Sequence, residues 1–158
     1  MVTWAEFAAA VPELAAEGRR LLYSRGDGEA LLSTVRGDGL PRIHPVNVGI
    51  IGDGLYTFIL ASPKRADLDR DGRFALHTHQ DPAAPSEFMV RGRATHIDAG
   101  DTRDAVAAGW YFSVDETYAL FELSIESALL GVRSGPEEWP PRYSSWAAPE
   151  RTTSTDSP

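Results

Sequence analysis

The segment Ser62-Pro63-Lys64-Arg65 is the part of this sequence best suited to hold an anion. Ser followed by Pro is a helix start: the hydroxyl caps the first turn, and Pro sits where a missing N–H leaves nothing unpaired. Free backbone N–H groups of that turn attract negative charge, and Lys64 and Arg65 add two cations, so a phosphate fits there. The competing reading is a capped surface helix with solvated cations, which is the commoner outcome for such a start.

Arg42 and His44 stand two apart and share one face of a strand, with Ile43 on the other, so two cation-capable groups line one surface. Pro45 marks an edge or a bulge. His77 and His79 also alternate, but no carboxylate completes a metal-ligand spacing with them and His96, which favours ordinary strand histidines and no metal. Arg91 and Arg93 flank Gly92, where a ligand or second chain can approach closely, although a charged exterior face explains the pair as well. Asp67, Asp69 and Asp71 fall on different helical faces and do not form a calcium loop. Nucleophile-elbow, Walker-type and dinucleotide-turn motifs are absent, and without cysteine there is no thiolate chemistry. No side chain is singled out as catalytic.

These residues need elements to position them. Thr3 and Glu6 form a capping box ahead of apolar residues at helical spacing, and Pro12 makes that region one kinked helix or two short ones, the second running towards Leu22. A strand over Ala30–Val35 is turned by Asp38-Gly39 into a second strand over Arg42–Ile51. Gly52-Asp53-Gly54 turns again into a third strand, Leu55–Leu60. The helix capped by Ser62 runs through Leu68 and is ended by Gly72. Strands then cover Phe74–Thr78 and Glu87–Ile97, with a bulge or bend at Gly92, before a helix over Asp101–Trp110 and a sixth strand over Tyr118–Ile125. The expectation is one mainly β domain over 1–133, with six antiparallel strands closing on themselves. A Pro- and Ser-rich extension follows over 134–158, its polar end disordered.

A chain of 158 residues with 42% hydrophobic residues can build one core. A net charge of −8 argues against nucleic acid and anionic membranes as partners. No apolar stretch is long enough to span a bilayer and no basic-then-apolar leader opens the chain, so the expected location is cytoplasmic.

In their order, Ala-Leu-Leu-Ser-Thr, Gly-Leu-Pro-Arg-Ile-His-Pro-Val, the Gly-Asp-Gly turn and Ser-Pro-Lys-Arg-Ala-Asp-Leu resemble the FMN-binding split β-barrel superfamily, the pyridoxamine 5′-phosphate oxidase-like proteins, over roughly 12–130. The spacing Ser-x-Lys-x-x-x-Leu after the third strand is the most specific element. The resemblance implies a six-stranded, Greek-key-like antiparallel split β-barrel with an N-terminal helix and short connecting helices. It implies that Ser62, Lys64 and Arg65 hold the cofactor phosphate, that Arg42, Ile43, His44 and Pro45 lie along the flavin, and that Thr57, Phe58 and Ile59 supply the neighbouring strand. It also implies a homodimer with the cofactor at the subunit interface and Trp110, Tyr111, Trp139 and Trp146 available to it. The substrate-gripping Arg and His segment of the true pyridoxamine phosphate oxidases has no counterpart in the tail, so oxidation of vitamin B6 is not implied.

The leading expectation is an FMN-dependent oxidoreductase acting on a small molecule, in which the protein orients the cofactor and tunes its electrostatics. A deazaflavin-dependent reductase on the same fold, a non-catalytic flavin- or haem-binding module, and an interaction protein acting through its Trp-bearing tail are the alternatives.

Overall fold

The computed structural model describes residues 1–150. Two helices open the chain, α1 (Trp4–Ala10) and α2 (Pro12–Leu22), which resolves the alternative left open at Pro12. Thr3 caps α1 in a full capping box with Glu6, and Pro12 takes the first turn of α2, where it can end one helix and begin another without losing a hydrogen bond. Next come β1 (Glu29–Val35), β2 (Pro41–Asn47), β3 (Gly49–Ile51), β4 (Gly54–Ile59), α3 (Pro63–Arg70), β5 (Arg73–Thr78), β6 (Glu87–Ile97), α4 (Asp101–Ala108), β7 (Ala119–Val132) and β8 (Arg142–Ala147).

Among the described residues eight strands form instead of the expected six. One addition comes from dividing the second strand at Val48, whose C=O accepts from the Tyr111 hydroxyl while its N–H donates to Gly28. The other is β8, drawn from the Pro- and Ser-rich region and paired with β7 from Ser127↔Ala147 to Val132↔Arg142. The expected disorder of the polar end concerns residues 151–158, which lie outside those described.

All pairings are antiparallel, in the order β2-β1-β5-β6-β7-β4-β3 with β8 branching from β7. The 14-residue β7 is the spine. One of its edges pairs with β6 along its length, while the other serves β4 with Ala119–Glu122 and β8 with Ser127–Val132. Between those two stretches Ile125 exchanges backbone hydrogen bonds with Val2. Phe7, Leu32, Leu55, Leu76, Phe88, Phe121 and Ile125 are fully buried in the main core, and α1 and α2 close it. A smaller core, with Tyr56, Phe58, Val106 and Trp110, lies under α4.

The β6–β7 register slips between Arg91 and Gly92, because Glu126 is an extra residue on β7. A Cβ on Gly92 would lie 1.8 Å from the Ser124 carbonyl oxygen. The close approach at Gly92 is therefore made by the backbone of the neighbouring strand of the same sheet, while Arg91 and Arg93 are exposed, as a charged exterior face requires. Backbone cannot move aside as a flexible side chain can, so Gly92→Ala is expected to cost about 2–3 kcal/mol or to prevent folding. Urea denaturation checks this, and a variant within about 0.5 kcal/mol of wild type contradicts it.

Candidate functional site

The sheet leaves a split. β2 pairs only with β1, and the Thr57–Ile59 part of β4 pairs only with β7, since β3 reaches no further than Tyr56. These two free edges approach each other, and the Thr57 hydroxyl donates to the Asn47 carbonyl at 2.8 Å. The even-numbered neighbours of β2 turn their backbone towards β1, as Arg36 N–H to Leu40 C=O and Val48 N–H to Gly28 C=O show. By the alternation of antiparallel ladders, Pro41, Ile43, Pro45 and Asn47 then direct their backbone groups into the split. Two of the four are prolines, so Ile43 and Asn47 alone supply N–H donors there. The side chains of Ile43 and Leu40 are 66% and 57% exposed.

Arg42 and His44 do share one face, as the alternation predicts, and α3 packs against β1 beside them. The group that organises the region is Asp67, 4% exposed. Its Oδ2 accepts from Thr34 Oγ1 and Arg42 Nε, each at 2.9 Å, and its Oδ1 from Arg70 at 3.2 Å. Burial pushes the Asp67 carboxyl up, but the hydrogen bonds from Arg42, Thr34 and Arg70 together outweigh it and hold the group below the usual carboxylate range. Sequence reasoning passed over Asp67 as one of three scattered acids. The available signal was Thr34: it shares the inward alternation of Ala30 and Leu32, and a hydroxyl in that position needs a polar partner.

Ser62 caps α3, accepting from the Arg65 N–H at 3.4 Å and donating to the Leu60 carbonyl at 2.9 Å. Lys64 is half-buried and takes part in none of the ion pairs among the described residues. The His44 Nε2 atom is sealed from solvent with no hydrogen-bond partner. Burial, then the charges of Lys64 and Arg42, push the His44 imidazole down from its ordinary value, with Asp67 pulling weakly the other way. Lys64, in the first turn of α3, and Arg42 thus lie near enough to His44 for their charges to oppose its protonation. An anion with several acceptor oxygens matches those two cations.

The structure does not bring every expected site residue to this place. Arg65 is engaged elsewhere, donating to the Thr117 carbonyl at 3.4 Å and lying 3.8 Å from Asp69. Pro45 and Ile43 turn their side chains outward. Thr57, Phe58 and Ile59 are buried, and of their side chains the Thr57 hydroxyl reaches β2, at the Asn47 carbonyl. His77 bonds Glu87 at 3.2 Å and His96 bonds Asp69 at 3.1 Å, and no group of three or more metal-ligating side chains occurs among the described residues.

Asp67→Asn keeps the shape of the side chain but leaves Arg42 and Arg70 without a countercharge, an expected loss of about 2–3 kcal/mol at pH 7. Because the folded Asp67 carboxyl titrates below its unfolded counterpart, its contribution is complete above about pH 4 and disappears as pH falls through the folded value. Wild-type and Asp67→Asn stabilities should therefore converge in acid. Denaturant melts at pH 7 and pH 3 check this, and a gap of equal size at both would refute it.

No protein-family model and no curated protein matches the sequence. Solved structures do. The haem-binding protein from Mycobacterium smegmatis aligns at 20% identity and TM-score 0.62, over 84% of this chain and 57% of that one, so this chain spans little more than half its length. HutZ, the haem storage protein from Vibrio cholerae, aligns at 18% identity and TM-score 0.62, over 77% of this chain and 96% of that one. A protein of the pyridoxinephosphate oxidase family from Clostridium acetobutylicum, related to general stress protein 26, aligns at 12% identity and TM-score 0.59, over 84% and 92%. At these identities the likeness is one of fold: the chain has the mainly β, antiparallel architecture of these haem-binding and pyridoxinephosphate oxidase-like proteins.

Proposed function

We propose that this protein binds FMN in the split between β2 and β4 and is a flavin-dependent oxidoreductase acting on a small molecule. The observation that carries this reading is the first turn of α3, capped by Ser62, with half-buried Lys64 outside every ion pair among the described residues. Lys64 and the first turn of α3 fit the terminal phosphate of FMN, because they can donate to phosphate oxygens and Lys64 takes part in none of the ion pairs among the described residues.

FMN, when bound, supplies reversible two-electron transfer. The chain's own residues bind and orient. Lys64 and the first turn of α3 hold the phosphate end. Along the split, the Ile43 N–H and the free carbonyls of β2 are available to the polar edge of the ring, and the Thr57 hydroxyl holds β4 against β2 at its inner end. Asp67 keeps the Arg42 guanidinium at the split by its hydrogen bond to Nε.

The exposed apolar side chains Leu40, Ile43 and Leu60 flank the split, and a second copy of the chain laid over them would bury them and exclude water from the cofactor. That supports a homodimer with the site at its interface.

A haem-binding role without turnover is the second reading, favoured by what two of the compared proteins are named as binding. Absorbance titrations with FMN, with the deazaflavin coenzyme and with haemin separate the readings. The expected result is a stoichiometric, perturbed flavin spectrum with FMN, and saturation by haemin alone would refute the flavin reading.

Lys64→Ala is expected to weaken FMN binding about tenfold or more, the usual loss for a charge-assisted hydrogen bond, with an unchanged melting temperature. Flavin fluorescence quenching measures this, and an unaltered Kd removes Lys64 from the site. Ile43→Glu is expected to convert the dimer to a monomer and to weaken FMN binding with it. Light scattering at matched concentrations decides that point, and a dimer that survives the substitution contradicts the proposed interface.

A further inference from the structure

The strand β8 pairs with β7 on one side only. The Ala148 N–H donates to the Glu126 carbonyl at 2.8 Å, and the register continues unbroken from Ser127↔Ala147 to Val132↔Arg142. Antiparallel pairing alternates, so Arg142, Ser144 and Trp146 turn their backbone groups to β7, while Tyr143, Ser145 and Ala147 each direct an N–H and a C=O away from it. None of these outward groups has a partner among the described residues.

The free edges of the sheet are not alike. β2 is blunted by Pro41 and Pro45, whereas β8 holds no proline, lysine or bulge, and of its residues Trp146 alone is half-buried, the others being exposed.

This edge borders a cavity of about 640 Å³, which lies between β8 and the corner where α1 meets α2. Val11, Leu14, Leu130 and Val132 give it apolar walls, and Glu13 and Glu17 supply its charge. Ser144 lies on the face of the sheet where Trp146 meets Phe7 at 5.2 Å, and its side chain reaches the cavity from there. Ser145 points its side chain to the opposite face, so it borders the cavity with its backbone, through the N–H and C=O that β7 leaves unused. Cavity and free edge are therefore one surface. Glu17 is ion-paired with Arg20, but Glu13 is exposed and takes part in none of the ion pairs among the described residues.

An extended segment meets these demands. Laid on the β8 edge, it satisfies the outward backbone groups and sets every second side chain over the cavity. Those side chains must be apolar to match the walls, and a cation beside them answers Glu13. The β8 strand of a second copy does not qualify: on that face it offers Arg142, ion-paired with Glu138, the small Ser144, and Trp146, already packed on Phe7.

We propose that the β8 edge and its cavity form a docking surface for an extended segment of a partner protein. The segment adds to the sheet as a further strand, places apolar side chains at alternate positions in the cavity and pairs a lysine or arginine with Glu13. The surface shares no residue with the split between β2 and β4, so it stands whether or not the flavin reading holds.

Fluorescence anisotropy on the full chain tests this with two short labelled peptides, both alternating valine with threonine and ending in either lysine or glutamate. The lysine peptide is expected to bind saturably, and the glutamate peptide about threefold or more weakly. Glu13→Lys should invert that order. Ser145→Pro removes an outward N–H but no bond to β7, so the fold should persist while the lysine peptide binds about tenfold more weakly. Amide hydrogen exchange on the wild type gives an independent reading: with the lysine peptide bound, Tyr143, Ser145 and Ala147 should become protected, while Ser144 and Trp146, already bonded to β7, should change little. No saturable binding up to about 1 mM, or binding that leaves those outward amides unprotected, overturns the proposal. So does an affinity that neither substitution alters. If Ser145→Pro does not fold, the amide pattern and Glu13→Lys decide the matter.

Discussion

Asp67 carries a negative charge into a place that water does not reach, and three side chains from three elements are drawn to it. Thr34 comes from β1, Arg42 from β2 and Arg70 from its own helix, α3. An isolated buried carboxylate costs several kcal/mol, so the arrangement is stable only if all three arrive together. That requirement fixes where α3 lies on the sheet. The position of its first turn, and with it Lys64, follows. The same hydrogen bonds commit the Arg42 Nε to Asp67, whereas Lys64 takes part in none of the ion pairs among the described residues.

The second constraint comes from β7. One strand cannot pair with β6 along its length and also give its whole other edge to a single partner, because β4 and β8 enter from opposite ends. The Glu126 bulge opposite Gly92 lets the spine bend between them, and bending brings β4 round towards β2 without completing the ladder. An open split with two unpaired edges invites strand addition. Pro41 and Pro45 remove half of the N–H donors from the β2 edge, so a continuous ladder with another strand is disfavoured while Ile43 keeps its amide for a smaller polar partner.

Anion site and split lie side by side, and their chemistry differs. Cations at one end suit a phosphate; the edge along β2 suits a planar group with few polar atoms at its rim. A ligand with both parts would use the whole surface, which is the basis for proposing a flavin nucleotide. The aromatic residues of the smaller core serve a different purpose: Trp110 packs edge-on against Phe58 at 5.0 Å, and Arg103 stacks over Phe58 at 5.1 Å, tying α4 to β4.

Much of this was legible in the residues. Helix caps at Thr3 and Ser62, glycine turns at Gly39 and Gly52, and two-residue alternation in β1, β5 and β6 act over a few positions, so local chemistry alone specifies them. The shared face of Arg42 and His44 and the N-terminal placement of Lys64 on its helix are local in the same sense. What the sequence could not disclose depends on groups brought from far along the chain. Val48 breaks a strand because Tyr111, 63 residues away, takes its carbonyl. β8 forms in a Pro-rich region because the far half of the β7 edge is vacant, and the Arg65 guanidinium reaches the Thr117 carbonyl, 52 residues away. The sequence by itself determined which segments are helix or strand and which side chains can bear charge. Tertiary structure alone decided which charges are already neutralised and which are not, since that depends on burial and on partners that meet only when the helices pack onto the sheet.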